Sequence, residues 1–446
     1  MSVRIRRMGL LLLVMVFLGG ELLAQLGARF PSERRVVVDP VTGTELVFLT
    51  RSSAGDSKIY QTHNQWTADG EWLIFRSDRV PGEALAVNES TGEMVQVTEG
   101  GYVGMLNVSR KTMQLYFMRP NKQDEKAMDV MVVDLAALFR DSAAGRLKKA
   151  RHYQRVCATV PASYGAHGDM ALDAEEDWLW FRVGRAMAAA NLPGEVPLAE
   201  AFGPRKMGAG PGGLAGVHLE SGELRYVTSV PFQVGHVQTN PWVAGQIVFC
   251  WETGGKSPQR TWVVNADGSG LRPLYPESEY EWVTHEAVIS PDEVAFAIMG
   301  HRSIPGVGET AEGTGVQGAN PGQEAAWGPS GTREKPTGLG VVNINTREMY
   351  IAGQIPFGSG FWHVAGSADK RFLAGDDFAR NVYLIDRRNG EMLLLSAGHK
   401  TSAADHPHPT FSPDGSRIQI QSAMLSEDGR SMDICIVPVP EEWLKR

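Results

Sequence analysis

The segment His406-Pro407-His408-Pro409 places two imidazoles at a spacing at which one metal ion could bind both. Residues two apart on an extended strand point to the same face and lie about 6.6 Å apart along the backbone. Because proline cannot donate a hydrogen bond to a sheet, the segment is expected to open a strand at an exposed edge. For an isolated motif, two surface histidines in a proline-rich turn would be the simpler interpretation.

Histidine also recurs at the start of other repeated segments of the chain. Six of the eleven histidines have this position: His63, His236, His285, His363, His406 and His408. Three neutral imidazoles that leave a coordination position open suit a catalytic divalent transition metal. An imidazole that is not bound to metal could act as a general base, because its ordinary pKa lies near neutrality. Any single histidine could instead form a structural hydrogen bond, so the prediction of a site rests on the whole set.

Seven segments repeat one pattern, in which a polar start and a tight turn are followed by alternating apolar residues. They are Asn64–Phe75, Asn107–Phe117, Asp169–Phe181, His236–Phe249, His285–Ile298, His363–Gly375 and His406–Ile420. Each copy has the pattern of a strand, a turn and a second strand, and most copies are followed by another hairpin. Four strands per unit, repeating every 40–50 residues or so, predict an all-β fold, a seven-bladed β-propeller. The first strand of each blade lines the central channel, so the histidines are expected to converge there.

The N-terminal residues 1–24 have the pattern of a cleaved export signal. Three arginines precede an apolar run that is too short to span a bilayer comfortably, and small residues follow it. The sequence therefore predicts an exported protein, periplasmic or secreted, with no membrane attachment after cleavage.

Residues 30–446 are predicted to form a single propeller domain. A propeller ring must be closed, and Arg35–Val38 or Leu46–Leu49 is expected to supply a strand to the last blade. Two stretches, about 186–213 and 303–337, are rich in Gly, Pro and Ala and carry few large apolar residues, which predicts disordered insertions. A lid over the central site is the alternative for these stretches.

Composition excludes several classes of function. The formal net charge of −8 argues against a nucleic-acid partner, which needs a concentrated basic face. The three cysteines lie far apart in apolar runs and fit no metal motif, so buried, inert thiols are expected. The nucleophile motif G-x-S-x-G, the P-loop and the dinucleotide fingerprint are absent from the sequence.

Four stretches resemble the oligogalacturonate lyases, polysaccharide lyase family 22. They are VGHVQTNPWVAGQIVFCWE (234–252), RTWVVNADGSGLRPL (260–274), THEAVISPD (284–292) and HPHPTFSPDG (406–415). Weaker similarity runs from Asp39 through Phe75, so the resemblance covers nearly the whole mature chain. The family consists of seven-bladed propellers that use manganese.

The resemblance implies a role for each matching histidine. His236 corresponds to the family's Brønsted base, and three others correspond to its metal-binding histidines: His285, His406 and His408. The implied cofactor is Mn²⁺ or another divalent metal. The chain departs from the family at Ala403, where the family has a glutamine as fourth metal ligand, and at Ser402 and Gly213, near which the family has basic residues for substrate carboxylates.

The resemblance implies a metal-dependent lyase that cleaves uronate-containing oligosaccharides, oligogalacturonate-like substrates of pectin breakdown, by β-elimination. The expected partner is therefore an acidic oligosaccharide, and four residues are predicted to bind it: His63, Arg260, His363 and Lys400. Two alternatives stay open. One is a non-catalytic exported propeller that binds sugar or protein, and the other is a different metal-dependent reaction on the same scaffold. The oligomeric state does not follow from the sequence.

Overall fold

Seven antiparallel sheets form the blades of a ring, as the repeats predict. The computed structural model describes residues 25–446 apart from 52, 203–204, 254–256, 279–280, 300–336 and 356–359. The predicted signal and nearly all of the predicted insertion 303–337 lie outside the described residues.

Each blade has four strands, which follow one another from the channel outward. Blades one to four are Asp56–Lys58, Trp72–Ser77, Ala84–Asn88 and Met94–Gln96; Val103–Val108, Gln114–Pro120, Met128–Asp134 and Gln154–Val160; Met170–Leu172, Trp178–Val183, Ala209–His218 and Leu224–Phe232; and Val234–Thr239, Gln246–Trp251, Thr261–Asn265 and Arg272–Pro273. Blades five to seven are Val283–Ser290, Glu293–Met299, Thr337–Asn343 and Met349–Gly353; Phe361–Gly366, Phe372–Asp377, Val382–Asp386 and Glu391–Ser396; and Thr410–Phe411, Arg417–Ser422, Asp433–Pro438 and Glu45–Phe48. The described helices are Leu135–Ala143, Arg185–Ala190 and Glu441–Leu444, with short 3₁₀ turns at Ala150–His152 and Ala162–Tyr164.

The core consists of apolar side chains packed between the faces of neighbouring blades. Six blades carry a fully buried phenylalanine on their second strand: Phe75, Phe117, Phe181, Phe249, Phe296 and Phe372. Most of these phenylalanines end a repeated hairpin segment of the sequence. Because both faces of a blade are covered by neighbours, its strands are apolar on both sides, and the repeats specify the fold through this burial.

The N-terminal strands close the ring, which confirms the prediction from the sequence. Glu45–Phe48 pairs with Asp433–Pro438 of the last blade, and Arg35–Val38 pairs in turn with Glu45–Phe48. Both candidate stretches therefore join the same sheet. Arg29–Phe30 adds a fifth strand at the outer edge of the first blade, against Met94–Gln96.

The stretch 186–213 differs from its prediction as a disordered insertion. It begins within the helix Arg185–Ala190, and its last residues open the ten-residue strand Ala209–His218. The glycines of this stretch allow its ordered packing, because they let two backbones approach closely. A Cβ atom at Gly210 would lie 1.8 Å from the carbonyl oxygen of Pro231. At this place the Gly-rich composition reflects tight strand packing.

All three cysteines are free thiols, as expected. Cys250 and Cys435 are fully buried and Cys157 is partly buried. Burial raises the pKa of the Cys157 thiol to about 11, which keeps it protonated and unreactive. In the part of the chain that the structure describes, no helix is both long and apolar enough to cross a membrane.

Candidate functional site

Four consecutive blades present a histidine at the same place on or just before their inner strand. His236, His285, His363 and His408 each stand third in the segments VGH, VTH, FWH and HPH. In blades four to six the strand register shifts at this point, between Gly235 and Gln238, between Thr284 and Ala287, and between Phe361 and Val364. Such β-bulges bend a strand and re-aim a side chain, and they are common next to active sites.

Three of these histidines have left-handed backbone conformations. The φ angles are 50° at His236, 53° at His285 and 51° at His408. A left-handed backbone conformation costs a residue with a side chain about 1–3 kcal/mol. Such strain persists only where the surrounding structure imposes it. The recurrence of this strain at equivalent positions of different blades marks the inner strands as the place to look for function.

Imidazole rings from blades five, six and seven pack together in the channel. The ring centre of His363 lies 4.2 Å from that of His285, 5.3 Å from that of His406 and 3.6 Å from that of His408. Trp362 forms part of the wall, with its ring 4.3 Å from His285 and 6.2 Å from His406. The three histidines predicted to bind metal are thus grouped around a fourth.

Burial keeps this cluster electrically neutral. Desolvation lowers the pKa of His285 and of His363 well below the ordinary value, and it lowers that of His406 to about 4. Neutral imidazole is the form that binds a metal ion. Neighbouring imidazolium charges would also repel one another, which favours the neutral state further.

Nδ1 of His406 is buried without a hydrogen bond to another described residue, and Nε2 of His408 lies 3.1 Å from Oδ2 of Asp405. The other nitrogen of His408, Nδ1, is 2.8 Å from Oε1 of Gln61, and with the proton on Nδ1 the Nε2 lone pair is available to a metal ion. Buried polar atoms without partners are costly unless something binds them. The donor set therefore fits a divalent transition metal, with imidazole as the dominant ligand.

A fully buried carboxylate, Asp376, forms hydrogen bonds with two residues of the cluster. It accepts hydrogen bonds from the backbone nitrogens of His363 (2.7 Å) and His408 (3.1 Å), and from Nδ1 of His363 (3.2 Å). Burial raises the pKa of Asp376, although its hydrogen-bonding neighbours favour the charged form. Asp376 thus fixes the position of two inner strands and the orientation of one imidazole ring.

His236 in blade four has the opposite electrostatic environment. Its Nε2 lies 3.2 Å from Oε2 of Glu252, and its Nδ1 lies 3.7 Å from Oε1 of Glu286 and 3.4 Å from Nη2 of Arg260. Burial lowers the pKa of His236, but the hydrogen bond to Glu252 and the charges of both glutamates outweigh this effect, so the pKa is raised overall. An imidazole oriented by a carboxylate is the arrangement of a general base.

Arg260 and Tyr60 surround this histidine. Arg260 is almost fully buried, and its Nε donates to Oε2 of Glu286 at 2.9 Å. The ring of Tyr60 lies 5.1 Å from that of His236 and 5.2 Å from that of His408, so it links the two halves of the site. Burial raises the pKa of Tyr60 well above its usual range, which keeps the phenol protonated.

Two residues predicted to bind substrate already have partners within the protein. Nε2 of His63 is 2.8 Å from the carbonyl oxygen of Met170 in the third blade, and Nδ1 is 2.8 Å from Oγ1 of Thr62. The Lys400 ammonium donates to the carbonyl oxygen of Ser426. These contacts favour structural roles, and substrate binding by His63 or Lys400 stays a prediction.

Ala403 packs in a small apolar cluster with Ala423 and Met432. It is 7% exposed, and its carbonyl oxygen accepts a hydrogen bond from Nη2 of Arg380 at 3.2 Å. The position at which the resembled family has its fourth metal ligand is therefore filled by apolar packing in this chain.

Two solved structures of oligogalacturonate lyases are similar to this chain over most of its length. One is an oligogalacturonate lyase in complex with manganese, with a TM-score of 0.69, and the other is an oligogalacturonate lyase from Vibrio parahaemolyticus, with a TM-score of 0.68. Each is 19% identical in sequence, and each comparison covers 94% of this chain and 100% of the other. No family model matches the sequence, and neither does any curated protein. The shared feature is the seven-bladed propeller fold.

Several residues of the site were not predicted from the sequence: Tyr60, Glu252, Glu286 and Asp376. Glu252 closes the segment VFCWE, and Glu286 follows the histidine of THEAV, so both lay inside stretches that the resemblance singled out. Asp376 carried a weaker signal, as one of the two aspartates that end the strand Phe372–Asp377. Tyr60 carried none, because it lies in a turn before the first repeat.

Proposed function

We propose that the protein is a metal-dependent lyase that cleaves uronate-containing oligosaccharides by β-elimination. The observation that carries this proposal is the division of one channel into two halves. A cluster of neutral imidazoles contacts one edge of Tyr60, and a carboxylate-paired imidazole contacts another. Metal binding and proton abstraction need these two environments side by side.

The proposed reaction begins with a C5 proton that is only weakly acidic, because an ionised carboxylate is attached to the same carbon. A bound Mn²⁺ or other divalent ion would neutralise that carboxylate and stabilise the enolate-like transition state. His285, His406 and His408 would hold the ion, and burial lowers the pKa of His285 and of His406, which favours their unprotonated form.

His236 is the proposed base. The C5–H bond breaks and its proton moves to the imidazole, a double bond forms between C4 and C5, and the C4–O bond breaks so that the glycosidic oxygen leaves. That oxygen takes up a proton from solvent and the imidazolium releases one to solvent, so no proton is gained or lost overall. No water is consumed. Glu252 would hold the ring and stabilise the imidazolium that forms.

The substrate class follows from the chemistry and from the fold likeness together. We infer oligogalacturonate-like substrates, because the two similar structures are of oligogalacturonate lyases and because the site is built for an acidic sugar. The N-terminal pattern adds that the enzyme works outside the cytoplasm, in the periplasm or the medium.

The test is a screen of uronide oligomers, digalacturonate first, for the ultraviolet absorbance of the unsaturated product. The proposal expects product with Mn²⁺, loss of product after exhaustive chelation, and recovery on adding Mn²⁺ back. Full activity in the chelated protein would refute the metal requirement. Binding of uronides without turnover in any metal would favour the alternative of a non-catalytic propeller.

A further inference from the structure

The three histidines proposed to bind metal lie around a fourth, His363, which the sequence marked only as a substrate-binding residue. At the same time, Ala403 offers no ligand atom where the resembled family has an amide. We propose that His363 is itself a metal ligand, held in place by Asp376, and that it supplies the ligand that Ala403 cannot. This inference rests on the proposed function, because it concerns the same metal.

The first support is position. The His363 ring stacks on His408, with 3.6 Å between centres and 26° between planes, and it lies 4.2 Å from His285 and 5.3 Å from His406. Ring nitrogens of His363 and His406 lie, together with a carboxylate oxygen of Asp376, within 4.8 Å of one another, so an ion bound by His406 would lie within reach of His363. A substrate group could contact His363 only by entering the middle of the cluster.

The second support is the orientation of the ring. Nδ1 of His363 lies 3.2 Å from each oxygen of Asp376, so this nitrogen carries the proton and donates it to the carboxylate. Nε2 is left with its lone pair, and it forms no hydrogen bond with another described residue. Metal-binding histidines commonly donate their second ring nitrogen to a carboxylate, which fixes the tautomer and raises the basicity of the ligand.

Asp376 itself is the weaker candidate for direct ligation, although one of its oxygens lies within 4.8 Å of ring nitrogens of His363 and His406. Oδ1 already accepts a bond of 2.7 Å from the His363 backbone, and Oδ2 accepts one of 3.1 Å from the His408 backbone. Direct ligation would have to compete with bonds that hold two inner strands. Asp376 is therefore assigned as the positioning residue.

Buried histidines elsewhere in the chain show what a purely structural role looks like. His63 and His399 both have each ring nitrogen in contact with a protein group: Thr62 and Met170 for His63, and Ser396 and Ser422 for His399. His363 is as deeply buried as these two, yet among the described residues only its Nδ1 has a partner. A ring nitrogen without a protein partner is available to a metal ion.

The experiment measures metal binding rather than activity. The full chain is stripped with chelator and titrated with Mn²⁺ alone, and the affinity is read by calorimetry and by the spin resonance of free Mn²⁺. His363→Phe, which keeps a stacked ring but removes the ligand atom, is expected to weaken binding at least about 100-fold. Asp376→Asn is expected to cost about 10–100-fold. The matched control, His63→Phe, removes a buried histidine outside the cluster and leaves Mn²⁺ affinity unchanged.

A second measurement needs no variant. Pulsed spin resonance of the wild-type protein loaded with Mn²⁺ counts coordinated imidazole nitrogens, and the proposal expects four, from His285, His363, His406 and His408. A count of three, or a folded His363→Phe protein with wild-type affinity, would overturn this inference and leave the lyase proposal standing. A wild-type protein that binds no divalent ion would instead remove the metal from the proposed function.

Discussion

At the scale of single residues, the site separates histidines by their surroundings. Burial lowers the pKa of His406 to about 4, and it also lowers the pKa of His285 and His363. In His236 the same burial is outweighed by Glu252 and Glu286, which raise the pKa. One side-chain type thus has two electrostatic environments, because two glutamates outweigh burial at His236, whereas burial dominates at His285, His363 and His406 even with Asp376 nearby.

Replacing His236 by alanine tests the base. Loss of general-base catalysis typically lowers a rate about 10²–10⁴-fold, so turnover of a uronide oligomer should fall within that range. Mn²⁺ content should stay at the wild-type value, because His236 is not among the proposed ligands. If His236 only stabilises the blade, the variant will melt at a lower temperature but keep its turnover per folded molecule.

Glu252→Gln tests the electrostatic part of the same mechanism through pH. Only neutral His236 can accept a proton, so kcat/KM should rise with pH through a pKa above 6.5, the ordinary value. Glutamine keeps the size of the side chain but removes the charge that raises this pKa. The ascending limb should therefore move to lower pH, with a lower plateau because the imidazolium loses its partner. An unchanged limb would show that Glu252 does not control the base.

At the scale of secondary-structure elements, the sequence predicted which strands enter the channel but not how they point. The alternation of apolar residues, which is a general consequence of burial, specified the inner strands together with the position of each histidine. The bulges at His236, His285 and His363 were not predictable, because an extra residue leaves no mark in a short polar segment. His63 also begins a repeated segment, and its ring contacts the carbonyl oxygen of Met170 in the third blade, so position in the repeat alone does not separate a site histidine from a structural one.

The contacts of the supporting carboxylates with the histidines could not be predicted from the sequence, for a geometric reason. Glu252 and Asp376 belong to the second strand region of their blades and contact histidines that lie 16 and 13 residues earlier. The pairing register decides which side chains meet across such a hairpin, and the bulges shift that register by one residue. A sequence alone does not locate the shift.

Gly235→Ala tests whether backbone packing positions Glu252. A Cβ atom at Gly235 would lie 2.6 Å from Cβ of Glu252, which is too close for the two to coexist without movement. We expect Glu252 to move away from His236, so that the pH limb of kcat/KM shifts in the direction expected for Glu252→Gln, and Mn²⁺ affinity stays unchanged. A variant with the wild-type pH profile would contradict this role for the glycine.

At the scale of the whole molecule, the site exists only in the closed ring. Tyr60 comes from the first blade, His236 from the fourth and the proposed metal ligands from the fifth, sixth and seventh. The proposed metal ion, shared by three blades, would bind the folded ring and would have no equivalent site in the unfolded chain. Mn²⁺ at 100 times its dissociation constant should therefore stabilise the fold by about 2.7 kcal/mol. Calorimetric melting with and without chelator measures this, and His406→Ala should abolish the difference.

Closure of the ring depends on the N-terminal strand Glu45–Phe48, which supplies the last strand of the seventh blade. Phe48 is fully buried and packs in the cluster that joins the sixth and seventh blades, and its backbone pairs with Cys435. Phe48→Ala should therefore lower the free energy of unfolding by about 3–5 kcal/mol, the usual cost of deleting a buried phenyl ring. Val36→Ala is the matched control, because Val36 lies in the neighbouring strand but is 47% exposed, and it should change stability by less than about 0.5 kcal/mol. Urea unfolding followed by tryptophan fluorescence compares the two.

Since the proposed ligands His406 and His408 precede the seventh blade, Phe48→Ala should also lose bound Mn²⁺ at urea concentrations where the control retains it. If the two variants unfold together, the N-terminal strand contributes little to closure of the ring.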